Sequence, residues 1–218
     1  GCGNTSMSNP STMRVGINAE GRVNFYNGAM DIGQGANTIM IQICAEALGV
    51  PASSFRFVMG DTDRTADAGK TSASRQAFVS GKASQLAGEH LRTQIIHLAE
   101  ANEDSKIRID GDRIIVEDEA GEHSILLSDL LPSSNGDVLI GEGTFDPPTT
   151  KLDENGQGSP YATYGFGAHI AEVEVDLKLG TTRVLRLAAA HDVGRAVNPT
   201  QVEGQIQGGV AQGLGMAL

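Results

Sequence analysis

The stretch Asp67–Gly81 concentrates side chains that could bind an anion. A helical pattern starts within it, near Ala77. Ser and Thr are favoured at helix starts because their oxygens accept hydrogen bonds from unpaired amides, and the same amides favour phosphate. The stretch therefore predicts an anion cradle, with a well-capped helix that binds no ligand as the alternative. Its three hydroxyls, guanidinium and amide belong to Thr71, Ser72, Ser74, Arg75 and Gln76.

A second candidate is the glycine turn formed by Gly33, Gln34 and Gly35, where a predicted strand ends and a helix begins. Missing side chains let a ligand approach backbone amides, and a helix start attracts negative charge. The turn is not a dinucleotide fingerprint, because the third glycine and the later acidic residue are not at the required spacing. It is not a P-loop either: the tripeptide 69–71 has the closing Gly-Lys-Thr, but Arg64 stands where the upstream glycine is needed. These patterns argue against ATP chemistry.

A third segment begins at His191 and is rich in glutamine and glycine, and Asn198-Pro199 within it predicts the start of a helix. An amide both donates and accepts hydrogen bonds, so it suits the edge of a heterocycle such as a pterin. The alternative is that these side chains only solvate a helix whose glycines allow tight packing. The glutamines are Gln201, Gln205, Gln207 and Gln212.

Taken together, the three segments resemble the molybdopterin-binding subunit of the xanthine dehydrogenase and aldehyde oxidase family. The sequence of residues 192–204 is similar to the sequences of the bacterial xanthine or purine dehydrogenase branch of that family. Nearly the whole chain takes part, through ordered motifs at Gly3-Asn4-Thr5, Asn9-Pro10, Met30–Gly35, Gly60–Asp63, Thr71–Arg75, Glu172–Asp176, Asp192–Gly194, Asn198-Pro199, Val202–Gly204 and Gln212-Gly213.

The resemblance implies a role for each candidate residue. Gln34, between Gly33 and Gly35, is expected at the pterin and molybdenum end of the cofactor, and Gln205 at the pterin edge. The hydroxyls of Thr71, Ser72 and Ser74 are expected to bind the cofactor's phosphate, with Arg75 and Gln76 as neighbours of a pyrophosphate. The cofactor is molybdopterin, with a cytosine dinucleotide form left open. Its dithiolene holds the molybdenum, so no protein metal ligand is expected.

The resemblance also implies what the chain does not carry. The family's catalytic glutamate belongs to a Gly-Glu motif that is expected beyond residue 218, and the dipeptides Gly121-Glu122 and Gly141-Glu142 come too early in the order. No catalytic residue is therefore expected in residues 1–218, a molybdopterin-binding domain expected to be incomplete at both ends and inactive in isolation.

The resemblance implies partners and a reaction for the complete enzyme. The expected partners are the rest of the molybdenum subunit and subunits carrying iron–sulfur clusters and FAD. The expected substrate is a purine-like N-heterocycle or an aldehyde, oxidised with water as the oxygen donor. A non-catalytic binding or assembly module that retains the fold is the alternative.

The elements that must position these residues alternate between strand and helix patterns, with several hairpins, which predicts a mixed α/β (α+β) fold of mixed sheets, hairpins and packed helices. Two glycines inside the second helix, Gly81 and Gly88, indicate close packing. A sub-boundary is expected around residues 133–160. Predicted strands are Met13–Asn18, Arg22–Ala29, Phe55–Met59, a hairpin over Lys106–Val116, Val138–Thr144, Tyr164–Leu177 and Thr181–Ala190; predicted helices are Thr38–Leu48, Ala77–Ala101, a short one at Ile125–Leu131 and Pro199–Leu218.

Composition limits the partners and the compartment. Sixteen basic and 27 acidic residues give a net charge of −11, which argues against nucleic acid or an anionic membrane as a partner. Cys2 and Cys44 form no metal or disulfide framework, and no apolar stretch is long enough to span a bilayer, so a reducing, cytoplasmic location is expected. The five histidines show no metal or triad spacing and are predicted to be structural or on the surface. The pair Asp61 and Asp63 is predicted to cap a turn.

Overall fold

A computed structural model describes residues 2–3 and 8–218 of the chain, with side chains from residue 8 onward; Asn4 and Thr5 of the first family motif lie outside the described residues. The chain divides into two compact units, Asn4–Ala162 and Gly1–Gly3 with Thr163–Leu218. The helices are α1 Ala36–Leu48, α2 Gly81–Leu98 and α3 Pro199–Ala217; the strands are β1 Cys2–Gly3, β2 Ser11–Asn18, β3 Val23–Asn27, β4 Phe55–Met59, β5 Lys106–Asp110, β6 Arg113–Asp118, β7 Gly121–Leu126, β8 Asp137–Phe145, β9 Thr163–Tyr164, β10 Phe166–Asp176 and β11 Thr181–Asp192. Mixed helices and sheets are confirmed.

The larger unit is built on a four-stranded sheet in the order β4-β3-β2-β8. The predicted hairpin forms, with Val15 of β2 opposite Phe25 of β3. Strand β4 lies parallel to β3, so α1 must carry the chain from the carboxyl end of β3 back to the amino end of β4. The crossover places the glycine turn of residues 33–35 directly beyond the carboxyl end of β3. Helix α1 ends at Gly49, which is left-handed and donates its N–H to the carbonyl of Ala45, as the predicted stop requires.

Helix α2 packs against α1 and against β8 and β2, and glycines make this approach possible. A Cβ at Gly88 would lie 2.7 Å from the carbonyl oxygen of Cys44, and one at Gly143 would lie 2.4 Å from that of Ala83. The close packing predicted for Gly88 is confirmed. Side chains at these positions would separate the helices from each other and from the sheet. The buried core between them runs from Met13 to Leu139 and includes Phe25, Met40, Leu48, Leu91 and Ile95.

A three-stranded sheet of order β5-β6-β7 completes the larger unit, and here one prediction is wrong. The segment Ile125–Leu131 was expected to be helical, but its first residues end β7 and only Leu127–Asp129 forms a 3-10 turn. Leu126 pairs with Arg113 across the antiparallel β6–β7 ladder. Pairing with a neighbouring strand outweighs a short apolar spacing that suits one helical turn.

The smaller unit consists of the long β10–β11 hairpin, the short β1–β9 pair and α3. The hairpin carries a bulge between Glu172 and Val173. Helix α3 begins at Pro199 as predicted, and Asn198 caps it with a side-chain oxygen that accepts from the Gln201 N–H at 3.1 Å. In the described residues no helix has both the length and the apolar composition needed to cross a bilayer.

Candidate functional site

The glycine turn is closed by a residue that was given no role in the sequence interpretation, Asp31. Its carboxylate accepts from the backbone N–H groups of Gly33 at 2.8 Å, Asn37 at 3.1 Å and Gly35 at 3.4 Å. Gly33 and Gly35 have φ of 105° and 81°, which suits residues without a Cβ. The negative charge expected at this helix start is therefore supplied by the chain itself. An Asp two residues before a glycine is a turn signal that could have identified it.

Burial opposes ionisation of the Asp31 carboxylate, but the N–H groups of Asn37, Gly33 and Gly35 outweigh burial. The pKa of Asp31 consequently lies below its usual value of 3.8. Three donated hydrogen bonds favour the charged form of a carboxylate. The turn is thus held by hydrogen bonds within the chain.

The structure brings the glycine turn and the hydroxyl-rich loop together as paired loops, residues 28–35 and 66–76. The hydroxyl of Thr71 donates to the carbonyl of Met30 at 2.7 Å. At the base of the loops, a Cβ on Gly28 would lie 2.1 Å from the carbonyl oxygen of Ala66, so only glycine permits this approach. Two of the three predicted segments therefore lie side by side within the larger unit.

The hydroxyls do not cap the following helix, and the well-capped helix considered above is not what forms. The chain enters a π-helical turn, Gln76–Ser80, with Arg75 at its start and no side-chain capping bond. Ser72 and Ser74 are exposed, and neither hydroxyl has a hydrogen-bond partner within the described part of the chain. Ala73 and Ser74 adopt φ of 55° and 51°, conformations that non-glycine residues adopt only where the surroundings impose them. The loop thus presents free hydroxyls at a strained corner.

Arg75 maintains the shape of this loop. Its side chain is 1% exposed and donates to four backbone carbonyls. The bonds reach Ala68 at 2.7 Å, Lys70 at 3.1 Å, Asn9 at 2.7 Å and Pro10 at 2.9 Å. Burial lowers the pKa of Arg75, although Asp67 and Asp146 oppose that shift. These hydrogen bonds join the loop to the segment before β2. They leave no exposed pair of guanidinium N–H groups that could bind a pyrophosphate.

The amides of both loops retain unused hydrogen-bonding atoms. Gln76 is 8% exposed and donates from Nε2 to the Lys70 carbonyl at 3.1 Å, but its Oε1 is buried without a partner. Gln34 accepts at Oε1 from the Ile32 N–H at 2.7 Å, and its buried Nε2 has no partner. Asn37 in α1 likewise has an unpaired Oδ1. Buried polar atoms in native proteins are nearly always paired, with protein or with ordered water, so these atoms are available to a water molecule or to a polar ligand.

Gln205 lies on α3 in the smaller unit, where it is exposed. The Gly-Glu dipeptides that were set aside lie in strands outside the paired loops: Glu122 is in β7, and Glu142 in β8 pairs with Arg14. Asp61 caps its own turn by accepting from the Asp63 N–H at 3.1 Å, as predicted. Among the described residues, no group of three or more His, Cys, Asp or Glu side chains could hold a metal ion.

The chain matches the molybdopterin cofactor-binding domain family over residues 1–218. It therefore belongs to that family of cofactor-binding domains. The family resemblance read from the motifs is confirmed. The paired loops and their unpaired amides fit a polar heterocyclic cofactor bearing phosphate.

Individual relatives are similar over most of this chain. The xanthine dehydrogenase molybdenum-binding subunit of Escherichia coli O157:H7 is 33% identical over 215 residues, which cover 94% of this chain and 27% of that subunit. The nicotine 6-hydroxylase large subunit of Paenarthrobacter nicotinovorans is 29% identical over 211 residues, covering 95% of this chain and 25% of that subunit. The chain thus spans about a quarter of the length of these relatives.

Solved structures of the family have the same fold. The aldehyde oxidoreductase from Desulfovibrio gigas superposes with a TM-score of 0.78 at 26% identity, covering 98% of this chain and 22% of that one. A Cu,Mo-CO dehydrogenase superposes with a TM-score of 0.68 at 26% identity, covering 91% of this chain and 24% of that one. Both are oxidoreductases by name.

Proposed function

We propose that the paired loops bind the pterin and phosphate of a molybdopterin cofactor, in a protein that hydroxylates an N-heterocycle or an aldehyde. The observation that carries the proposal is the pair of unsatisfied amide atoms, Gln34 Nε2 and Gln76 Oε1, one in each loop. Gln34 Nε2 is a hydrogen-bond donor and Gln76 Oε1 is an acceptor. The edge of a heterocycle that carries both acceptors and donors can pair with both atoms. Leaving such atoms unpaired costs about 1–3 kcal/mol each, a cost that a bound ligand would remove.

Each residue of the paired loops has a distinct task in this proposal. Gln34, between Gly33 and Gly35, contacts the pterin and molybdenum end, and Gln76 the neighbouring polar edge. Ser72 and Ser74 donate their free hydroxyls to the phosphate. Thr71 already donates its proton to Met30, so its task is to hold the loops together. Arg75 holds the loop in position through its bonds to backbone carbonyls, and it does not make the pyrophosphate contact that the family resemblance implied.

Gln205 remains our candidate for the residue that contacts the pterin edge. The cofactor, when bound, supplies the two-electron oxidation of an electron-poor carbon with water as the oxygen source. The catalytic glutamate, the rest of the molybdenum subunit and the iron–sulfur and FAD subunits that accept the electrons belong to the parts of the enzyme beyond these residues. The names of the relatives, a xanthine dehydrogenase subunit, a nicotine hydroxylase subunit and an aldehyde oxidoreductase, support an N-heterocycle or an aldehyde as the substrate. A cytoplasmic location and a cytosine dinucleotide form of the cofactor remain part of the proposal.

The test is to purify the complex that contains this chain and to measure molybdenum, pterin and cytidine after acid release. The complex is then incubated with a purine or an aldehyde in ¹⁸O-labelled water, and the product is analysed by mass spectrometry. We expect stoichiometric molybdenum and label in the product. A complex without molybdenum and pterin would instead support a non-catalytic assembly module.

A further inference from the structure

Two histidines meet on one face of the β10–β11 hairpin, away from the paired loops in sequence and in a different unit. His169 and His191 have their Nε2 atoms 2.6 Å apart, and their ring centroids are 4.9 Å apart with the planes at 78°. Both side chains are exposed. Nothing in the proposed cofactor binding uses either ring.

The hairpin register explains the pairing. His169 lies opposite Ala189 and His191 lies opposite Gly167, so the two rings are diagonal neighbours on the same face. A Cβ at Gly167 would lie 3.0 Å from Cε1 and Nδ1 of His191, so the glycine leaves space for that ring to lean toward its partner. The backbone ladder therefore fixes the separation of the two imidazoles before any ion binds.

The contact makes one ring the hydrogen-bond donor and the other ring the acceptor. A neutral imidazole carries one N–H and one lone pair, so two Nε2 atoms at 2.6 Å need a proton on one of them only. If the donor ring moves its proton from Nε2 to Nδ1, both Nε2 lone pairs face the same point in space. That change of tautomer leaves the net protonation unaltered and creates a pair of metal ligands.

We propose that His169 and His191 form a surface site for one divalent transition metal ion, of the Cu²⁺ or Ni²⁺ kind, held by both Nε2 atoms and completed by water. With metal–nitrogen bonds of about 2.05 Å, two imidazoles at a right angle lie about 2.9 Å apart, whereas a tetrahedral pair lies about 3.3 Å apart. The observed 2.6 Å is closer to the first value, so a tetragonal ion needs the smaller movement of the rings.

The neighbours of the pair favour water for the remaining positions. Side chains alternate along β10, so Glu172 and Glu174 lie on the opposite face of the hairpin from His169, and Glu174 is paired there with Arg183 at 2.6 Å. No group of three or more potential ligand side chains exists in the part of the chain that the structure describes. The site is therefore open and accessible.

The test is titration of the full chain with Cu²⁺ and with Ni²⁺ by calorimetry, together with Cu²⁺ electron paramagnetic resonance. We expect His169→Ala and His191→Ala each to weaken binding by about tenfold or more, equivalent to about 1.4 kcal/mol. The parent spectrum should show coupling to two imidazole nitrogens and the single variants coupling to one. His97→Ala, an exposed histidine of α2, is the matched control and should bind like the parent.

A further variant keeps both ligands. Gly167→Val should push the His191 ring away and weaken binding without removing a nitrogen donor, while circular dichroism checks that the chain remains folded. If His169→Ala and His191→Ala bind the ions as tightly as His97→Ala, the pair is only a hydrogen bond and the proposal is overturned.

Discussion

At the scale of single residues, the site depends on side chains that shape loops as much as on side chains that would touch a ligand. Asp31 and Arg75 each bind several backbone groups, the first through N–H donors and the second through carbonyl acceptors. Gln34 and Gln76 are left with unused atoms inside the loops so shaped. The positioning residues should therefore affect folding, and the two glutamines should affect ligand binding.

Asp31→Ala is expected to destabilise the chain by about 1 kcal/mol at neutral pH, because the first amides of α1 lose their acceptor. The folded pKa of Asp31 lies below 3.8, so the unfolded chain binds this proton first as the pH falls. The contribution is full above the usual pKa and is lost as the pH falls through the lowered one. Urea unfolding of parent and variant from neutral to acid pH should show a difference that shrinks with acid. A difference independent of pH would contradict the role of the carboxylate charge.

Arg75→Met is expected to lower the free energy of unfolding by about 3 kcal/mol or more, because it removes four hydrogen bonds that a buried guanidinium donates to backbone carbonyls. Arg14 is the matched control, since it is an arginine of the same unit whose side chain is 38% exposed in its pair with Glu142. Arg14→Met should cost about 1 kcal/mol or less. Equal midpoints of urea unfolding for the two variants would show that Arg75 does not anchor the loop.

At the scale of elements, glycines decide how closely the helices pack. Gly88→Ala would gain about 1 kcal/mol of helix propensity. Its Cβ would nevertheless lie 2.7 Å from the Cys44 carbonyl oxygen and 2.9 Å from the Ala47 Cβ, and neither atom is the end of a flexible side chain. We expect a net loss of about 1–3 kcal/mol from overpacking between α1 and α2.

The control for this prediction is Gly208→Ala in α3, where a Cβ meets nothing within 4 Å. That variant should be as stable as the parent or more stable, by up to about 1 kcal/mol. The thermal unfolding midpoints of the two variants show whether the gain in helix propensity or the loss from overpacking is larger. A Gly88 variant as stable as the Gly208 variant would mean that α1 and α2 can move apart at little cost.

Elements with strong local signals could be predicted from the sequence. The β2–β3 hairpin shows alternation around a glycine turn, and α1 shows helical spacing that stops at Gly49. The segment 125–131 could not be predicted in the same way, because its pairing with β6 depends on a neighbour and not on its own spacing. A local sequence pattern identifies a helix or strand correctly where the local preference of the segment agrees with its tertiary contacts.

The candidate site, like the secondary structure, could be predicted only where local sequence patterns determine it. The hydroxyl-rich loop that predicted an anion cradle does lie beside the glycine turn. The hydrogen bond that joins the two loops, however, runs from Thr71 to Met30, and a contact across 41 positions cannot be read from local spacing. The burial of Arg75 depends on carbonyls of Asn9 and Pro10, which no spacing in residues 67–81 reveals. Composition predicted the chemistry of the loop, and long-range contacts determined which of its side chains remain free.

At the scale of the whole molecule, the buried core belongs to one unit. All of its members lie between Met13 and Leu139, within the unit Asn4–Ala162. In the smaller unit every residue of β10 is exposed, including Phe166 and Ile170 at 70% and 74%. The paired loops are therefore carried by the unit that has its own core, which is the rigid support that a preorganised cofactor site requires.

The central claim is that the unpaired amides of the paired loops bind the cofactor, and it is tested most directly by cofactor content in Gln34→Leu and Gln76→Leu. The complex containing this chain is purified with each variant, and molybdenum and pterin per protein are compared with the parent and with Gln85→Leu, a glutamine of α2 that bonds to Glu89. We predict a loss of about 5- to 150-fold in cofactor affinity for the two loop variants, since a bound heterocycle would lose its partner. The Gln85 control should keep its cofactor. Parental molybdenum and pterin content in both loop variants would contradict the account.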